Sequence, residues 1–132
     1  MDNNLIQNNK DLIKSFDNFS KNYNNNTNTF AHIVKEYVNQ ENLKLLLKNK
    51  FSNILDAGCG KGKWVPFLYK YCDNLTLLDI SSKSLDVAKE NNKKYLIKFV
   101  EGSIEKTKFD NNEFDFIIAE GGVISYTPNQ KK

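Results

Sequence analysis

The stretch LDAGCGKGKW, Leu55 to Trp64, decides the fold, together with the acidic residue that ends the next apolar run, Asp79 in LTLLD. Residues 53–57 read as a short buried strand. Gly58, Cys59, Gly60, Lys61 and Gly62 make a glycine-spaced turn, and a helical pattern over 62–71 follows it directly. Glycines at such a turn let the backbone approach a ligand closely, and a helix starting there aims free N–H groups at it. Asp79 stands 17 residues beyond Gly62, at a strand tip where a carboxylate can accept hydrogen bonds from both hydroxyls of a ribose. One strand–helix–strand unit thus carries a glycine turn and a ribose carboxylate, which points to a nucleoside-bearing ligand.

The spacing argues against a dinucleotide. With Gly58 and Gly60 as the first two glycines of G-x-G-x-x-G, the third belongs at position 63, where Lys63 stands; Gly62 comes one residue early. Asp56 places a carboxylate two residues before the turn, where a pyrophosphate would be repelled and an ammonium group favoured. S-adenosylmethionine has an ammonium, a carboxylate, a sulfonium and a ribose, and no phosphate, so its chemistry fits better.

LDAGCGKGKW with LTLLD resembles the glycine motif and acidic loop of class I S-adenosylmethionine-dependent methyltransferases. FVEGSIEKTKFDNNEFDFIIAEGG, Phe99 to Gly122, is similar to the third and fourth strands of that family, and FDNFSKNY, Phe16 to Tyr23, resembles the segment preceding the domain in its small-molecule members. The resemblance implies an α/β fold: a Rossmann-like parallel sheet of the class I methyltransferase type with an N-terminal helical segment. The family's sheet has strand order 3-2-1-4-5-7-6. The sequence accommodates four strands, at 53–57, 75–79, 96–100 and 114–119, so the C-terminal half of the sheet is expected to be missing. Residues 1–50 are expected to be a helical lead-in and 51–132 a partial cofactor-binding core.

The resemblance also assigns site residues. Asp56 orients the methionine ammonium, the plain alternative being a turn or helix cap. Gly58, Gly60 and Gly62 cradle the ligand, with the backbone at Gly58 and Gly60 facing the methionine part; the alternative is an ordinary glycine turn. Asp79 holds the ribose, and Ile80 packs on the adenine unless it is ordinary core. Ser103 and Ile104 form the adenine loop, with Ser103 where the family commonly has aspartate. Glu120, in AEGG after the fourth strand, is the acid/base candidate, and a solvated loop acid is the alternative. Tyr23 resembles an aromatic residue that closes over the cofactor, against an exposed loop tyrosine. No metal ligand is expected, and transfer is expected to rest on alignment of acceptor and methyl group.

Composition bounds the rest. The 132 residues allow one small domain. No apolar run approaches the roughly 18 residues that span a bilayer, and no signal peptide is evident, so a cytoplasmic protein without membrane attachment is expected. Cys59 and Cys72 lack metal-ligand spacing and are expected to stay unpaired. All 19 basic residues are lysine, so the net charge of +3 comes without guanidinium forks and nucleic acid is not indicated.

Asp11 to Phe19 shows helical spacing, and Ile33, Val34, Tyr37 and Val38 mark a second helix that Leu43 to Leu47 continue or follow. Ser81 or Ser82 is expected to cap a helix over 83–92. Phe67, Tyr69 and Tyr71 read as helix packing. FDFIIA is apolar enough for a strand buried on both faces but lies at the expected open edge of the sheet, so a partner chain or self-association is expected to cover it. The function expected is methyl transfer from S-adenosylmethionine to a small-molecule acceptor. The alternatives are a non-catalytic cofactor-binding half-domain or partner subunit, and an NAD-binding oxidoreductase domain.

Overall fold

The computed structural model describes residues 10, 13, 14, 17, 30–121 and 123–126; for 30–32, 125 and 126 it describes backbone alone. Residues 10, 13, 14 and 17 are helical. Tyr23, the N-terminal aromatic, and Thr29, a candidate helix cap, lie outside the described residues.

The elements run α1 (Phe30–Leu46), β1 (Phe51–Ala57), α2 (Val65–Leu68) with a 3₁₀ turn (Tyr69–Tyr71), β2 (Cys72–Asp79), α3 (Ser82–Asn91), β3 (Lys98–Glu101), a 3₁₀ turn (Ile104–Lys106), β4 (Phe116–Ile118) and a last 3₁₀ turn (Val123–Tyr126). The strands form one parallel sheet of order β3-β2-β1-β4. A parallel neighbour needs a crossover, and strand alternating with helix supplies it. The four expected strands all form, in the order that the family resemblance implies.

Period-two alternation sorts side chains between the sheet's faces. Ile54, Leu75, Leu77 and Ile118 join Val65, Leu68, Leu85 and Ala88 in the main core, on the helix-covered face. Leu55, Ala57 and Leu78 face the other way, against Val100, Ile104, Phe109 and Phe114. Phe67, Tyr69 and Tyr71 pack on the main core, with ring contacts Phe67–Tyr71 at 5.3 Å and Tyr69–Tyr95 at 4.8 Å.

Helix α1 is continuous through Asn39, where the sequence left its boundary open. Leu43 and Leu47 anchor it to the core, whereas Ile33, Val34, Tyr37 and Val38, which marked it as a helix, are exposed. The helix expected over 62–71 is corrected. Lys61–Trp64 remain in turn conformation, α2 spans four residues with Pro66 in its first turn, and a 3₁₀ turn leads into β2. Gly62 at φ +70° keeps the chain out of a right-handed helix at that point. Ser81, rather than Ser82, caps α3: its Oγ accepts from the Ser84 N–H at 3.2 Å.

Candidate functional site

Strand pairing brings the chemistry together. Ala57 sits opposite Leu78, Asp56 opposite Ile118, and Asp79 opposite Glu101, so the sequences that leave β1, β2, β3 and β4 emerge at one end of the sheet. In open α/β sheets this carboxyl end is where ligands bind. Asp56, the glycine turn, Asp79–Ile80, Ser103–Ile104 and Glu120 all belong to it.

The glycine turn is shaped by its own hydrogen bonds. Gly58, Gly60 and Gly62 all have positive φ, which glycine adopts without a Cβ penalty. The N–H groups of Gly58 and Cys59 donate to Leu78 O at 2.7 and 3.0 Å, and that of Gly62 donates to Cys59 O at 2.9 Å. The Gly60 N–H donates to Asp79 Oδ2 at 2.8 Å. Four turn amides are therefore satisfied within the protein. The helix after the turn, at four residues, is too short to carry a useful macrodipole, so the expectation of free helix N–H groups aimed at a ligand is also corrected.

The three glycines differ in what surrounds them. A Cβ on Gly62 would lie 2.7 Å from Asn92 Nδ2 and 3.2 Å from the Ala88 Cβ, and one on Gly58 would lie 2.2 Å from Val123 Cγ2. A Cβ on Gly60 would meet nothing within 4 Å. Gly62 is a packing glycine against α3, fixed by Asn92 Nδ2, which donates to Gly62 O at 3.1 Å. Gly60 borders open space.

Asp56 is 1% exposed, and its Oδ2 has no hydrogen-bond partner among the described residues. Burial, reinforced by the negative charges of Asp79 and Glu120 and opposed by Lys63, pushes its carboxyl up to about 7. A buried acid without a partner is costly unless something outside the chain completes it. Asp79 is nearly as buried, and burial pushes its carboxyl up against the pull of N–H donors from Ser81, Gly60 and Ile80. Its Oδ1 accepts from the Ser81 N–H at 2.9 Å. The carboxylate retains acceptor capacity beyond these N–H groups.

Ile80 is half-buried beside Asp79. Ser103 caps the following 3₁₀ turn, its Oγ accepting from the Glu105 N–H at 3.2 Å, while Ile104 packs against the smaller core cluster. Glu120 is held by its neighbours: Oε2 lies 3.0 Å from Lys63 Nζ and takes a long contact of 3.5 Å from Trp64 Nε1, and Oε1 takes one of 3.4 Å from Asn39 Nδ2. Lys63 Nζ also pairs with Glu36 Oε1 at 2.8 Å. Burial lowers the Lys63 ammonium, but the hydrogen bonds and charges of Glu36 and Glu120 outweigh it and hold it above its ordinary value.

Sequence reasoning missed two participants. Asp17 accepts a short hydrogen bond from Ser81 Oγ and lies 3.4 Å from Lys83 Nζ, where its charge acts on Asp79. Asp17 lies inside the quoted FDNFSKNY, which was its one available signal. Lys63, read as a misfit to the dinucleotide spacing, is the hub of the Glu36–Glu120 pairing. Cys59 and Cys72 are buried free thiols, both pushed up first by burial.

A family model described as a methyltransferase domain matches residues 54–132, more than half of the chain. The chain belongs to this methyltransferase family. The demethylmenaquinone methyltransferase of Staphylococcus carnosus (strain TM300) is 31% identical over 108 residues, which cover 79% of this chain and 45% of that protein. Among solved structures, the N-methyltransferase NodS from Bradyrhizobium japonicum WM9, in complex with S-adenosyl-L-homocysteine (SAH), is 24% identical with a TM-score of 0.55, covering 68% of this chain and 45% of NodS. DhpI in complex with SAH is 18% identical with a TM-score of 0.64, covering 90% of this chain and 54% of DhpI. These structural matches establish a shared Rossmann-like methyltransferase fold. The chain spans about half the length of the relatives it matches. No described helix is long and apolar enough to cross a membrane. No group of three His, Cys, Asp or Glu among the described residues is placed to hold a metal ion.

Proposed function

We propose that this methyltransferase-family chain binds S-adenosylmethionine at the carboxyl end of β1 and β2 and serves methyl transfer to a small-molecule acceptor. The observation that carries the reading is the buried Oδ2 of Asp56, without a partner among the described residues, beside a turn in which the amides of Gly58, Cys59, Gly60 and Gly62 are already used. A phosphate needs free N–H donors, and a cationic amino group needs an acceptor. The end of β1 has the acceptor, and four of the five turn amides are committed within the protein, which disfavours the dinucleotide reading.

Asp56 would hold the ammonium of the cofactor, and Asp79 would accept from the ribose hydroxyls through the lone pairs that its N–H donors leave. The open side of Gly60 would admit the ligand backbone. Ile80 and Ile104 would border the adenine, with the Ser103 hydroxyl at its edge. Tyr23 and the cradle roles of Gly58 and Gly62 enter as expectations from the family, Gly62 having a packing role besides. The cofactor supplies an activated methyl group when bound; the chain supplies alignment and a negatively charged wall. Glu120 has its carboxylate engaged by Lys63 and Trp64, so in this reading it fixes that wall and thereby places the acceptor, in preference to abstracting a proton.

The small-molecule acceptor is supported by the demethylmenaquinone methyltransferase match. We also take residues 1–50 as a helical lead-in to a binding core at 51–132, and a reducing, cytoplasmic setting as the compartment that suits two buried free thiols.

Titration calorimetry on the whole chain tests the reading: SAH is expected to bind and NAD is not. Binding of NAD without SAH would replace it with the oxidoreductase alternative. Binding of SAH with no methyl transfer to any acceptor tried would leave the non-catalytic half-domain.

A further inference from the structure

We propose that the outward face of α1 is a docking surface for an anionic lipid bilayer, with the helix lying flat in the membrane–water interface. The expectation of no membrane attachment rests on the length of apolar runs, which bears on spanning a bilayer. A helix that lies in the interface is judged by its two faces instead.

α1 is apolar on the side where a surface helix is ordinarily polar. Its inward side is accounted for: Leu43 packs on the core, Glu36 pairs with Lys63, and Asn39 reaches Glu120. Val34 lies half-way round the helix from Leu43, at about 100° per residue. Val38 and Leu45, four and eleven residues beyond Val34, stand within about 40° of it and form a stripe along the opposite side. Ile33 and Tyr37 widen the stripe on one flank and Leu46 on the other, and these six side chains are 43% to 68% exposed.

Charge selects the occupant. Lys35 borders the stripe on one flank and Lys44 on the other, and Lys48 follows the end of the helix. Glu36 turns inward, and Glu41, the acid within the stripe, is paired with Lys44 at 2.6 Å. Lys35 and Lys48 therefore leave this face positive. Their stems can lie along apolar surface while the ammonium groups reach lipid phosphates, which an anionic leaflet rewards. A second copy of the chain fits the same stripe poorly. Antiparallel pairing that sets Val34 against Leu45 also sets Lys35 against Lys44 and Val38 against Glu41. Parallel pairing about a two-fold axis sets Glu41 beside its own copy, and like charges so placed oppose association.

Flotation of the whole chain with vesicles tests the proposal, using phosphatidylcholine alone and phosphatidylcholine with about one-third phosphatidylglycerol. Wild type is expected to bind the anionic vesicles at least about tenfold more tightly than the neutral ones, and to be released as salt rises. Lys35→Gln should cost about fivefold on anionic vesicles and nothing on neutral ones. Val38→Glu and Leu45→Glu place a charge at separate exposed points of the stripe. Each should keep the denaturation midpoint of wild type and lower vesicle binding about tenfold or more. Ile117→Lys, on the sheet edge, should not weaken it. Failure of wild type to bind anionic vesicles, or binding that both glutamate variants retain, would overturn the proposal. Self-association abolished by Val38→Glu, with no vesicle binding, would overturn it in favour of a second copy.

Discussion

The Gly60 N–H donates to Asp79 Oδ2 at 2.8 Å, joining the apex of the glycine turn to the tip of the neighbouring strand across 19 residues of sequence. This bond orders the turn and aims the acid at once, because the other oxygen of the same carboxylate takes the Ser81 N–H that opens α3. One side chain thus sets the relative positions of β1's exit and α3's entry.

Replacing Asp79 therefore has two consequences. Asp79→Ala leaves buried N–H groups unpaired and is expected to lower folding stability by about 1–3 kcal/mol, as read by chemical denaturation. It is also expected to weaken SAH binding at least tenfold through loss of charge-assisted bonds. Asp79→Asn keeps one acceptor and should recover much of the stability but little of the affinity. An alanine variant with unchanged SAH affinity would remove Asp79 from the site.

Asp56 makes stability depend on pH. Its carboxyl stands near 7 in the folded protein against an ordinary 3.8. Between those values the folded chain holds a proton that the unfolded chain has released, so stability is greatest at the acid end of the window and falls as pH rises through about 7. Above it both states are ionised and the penalty for burying the charge remains. Asp56→Asn is expected to flatten thermal midpoints across this window and to exceed wild type at about pH 8, while abolishing SAH binding. For wild type, SAH affinity should rise through about pH 7 as Asp56 ionises to meet the ammonium. A wild-type midpoint that does not fall across this window would refute the assignment.

The strands were legible because each is a short apolar run set between turns, alternating with helices, and their order followed from the resemblance to the methyltransferase family. Boundaries were less legible where polar residues prolong the ladder. β2 begins at Cys72, and Asn74 Nδ2 within it donates to Ser52 O and Asn53 Oδ1. At β4 the Asp115 carboxylate accepts from the Asn53 N–H just before the strand begins. The glycine turn and Asp79 could be read from spacing alone. The pairings Lys63–Glu36 and Asp17–Ser81 could not, since they join positions 27 and 64 residues apart and obey no local period. Nor could spacing reveal that four of the five turn amides are consumed internally, which makes this site unlike a phosphate cradle.

The three glycines of the turn should separate under mutation. Gly60→Ala adds a Cβ into open space, so its stability cost is the left-handed backbone alone, roughly 1–2 kcal/mol. Gly62→Ala carries that cost and also drives a Cβ against Asn92 and Ala88, adding about 1–3 kcal/mol. Ligand binding should divide the other way. Among variants that remain folded, Gly60→Ala is expected to lose more SAH affinity than its stability loss explains, whereas Gly62→Ala should lose affinity in step with stability. Denaturation and calorimetry on both variants check this, and equal behaviour would mean that Gly60 does not border the ligand.

The remaining prediction concerns the edge of the sheet. Among the described residues β4 ends the strand order, pairing with β1 on one side, and Ile117 at its centre is 58% exposed. The same residue belongs to FDFIIA, apolar enough to suit a strand covered on both faces. Ile33, Val34, Tyr37 and Val38 on α1 add further exposed apolar surface. A sheet edge offers unpaired backbone groups as well as side chains, so a second copy of the chain gains both hydrogen bonds and apolar burial by docking there. The chain alone is accordingly expected to associate as concentration rises, with sedimentation velocity showing a shift from monomer. Ile117→Lys places a charge on the edge and should suppress that association. Its effect on stability should stay within about 0.5 kcal/mol, because the side chain it replaces is largely in water. A wild-type chain that sediments as a monomer at all concentrations, or an Ile117→Lys variant that associates as strongly as wild type, would show that this edge is not the surface that drives assembly.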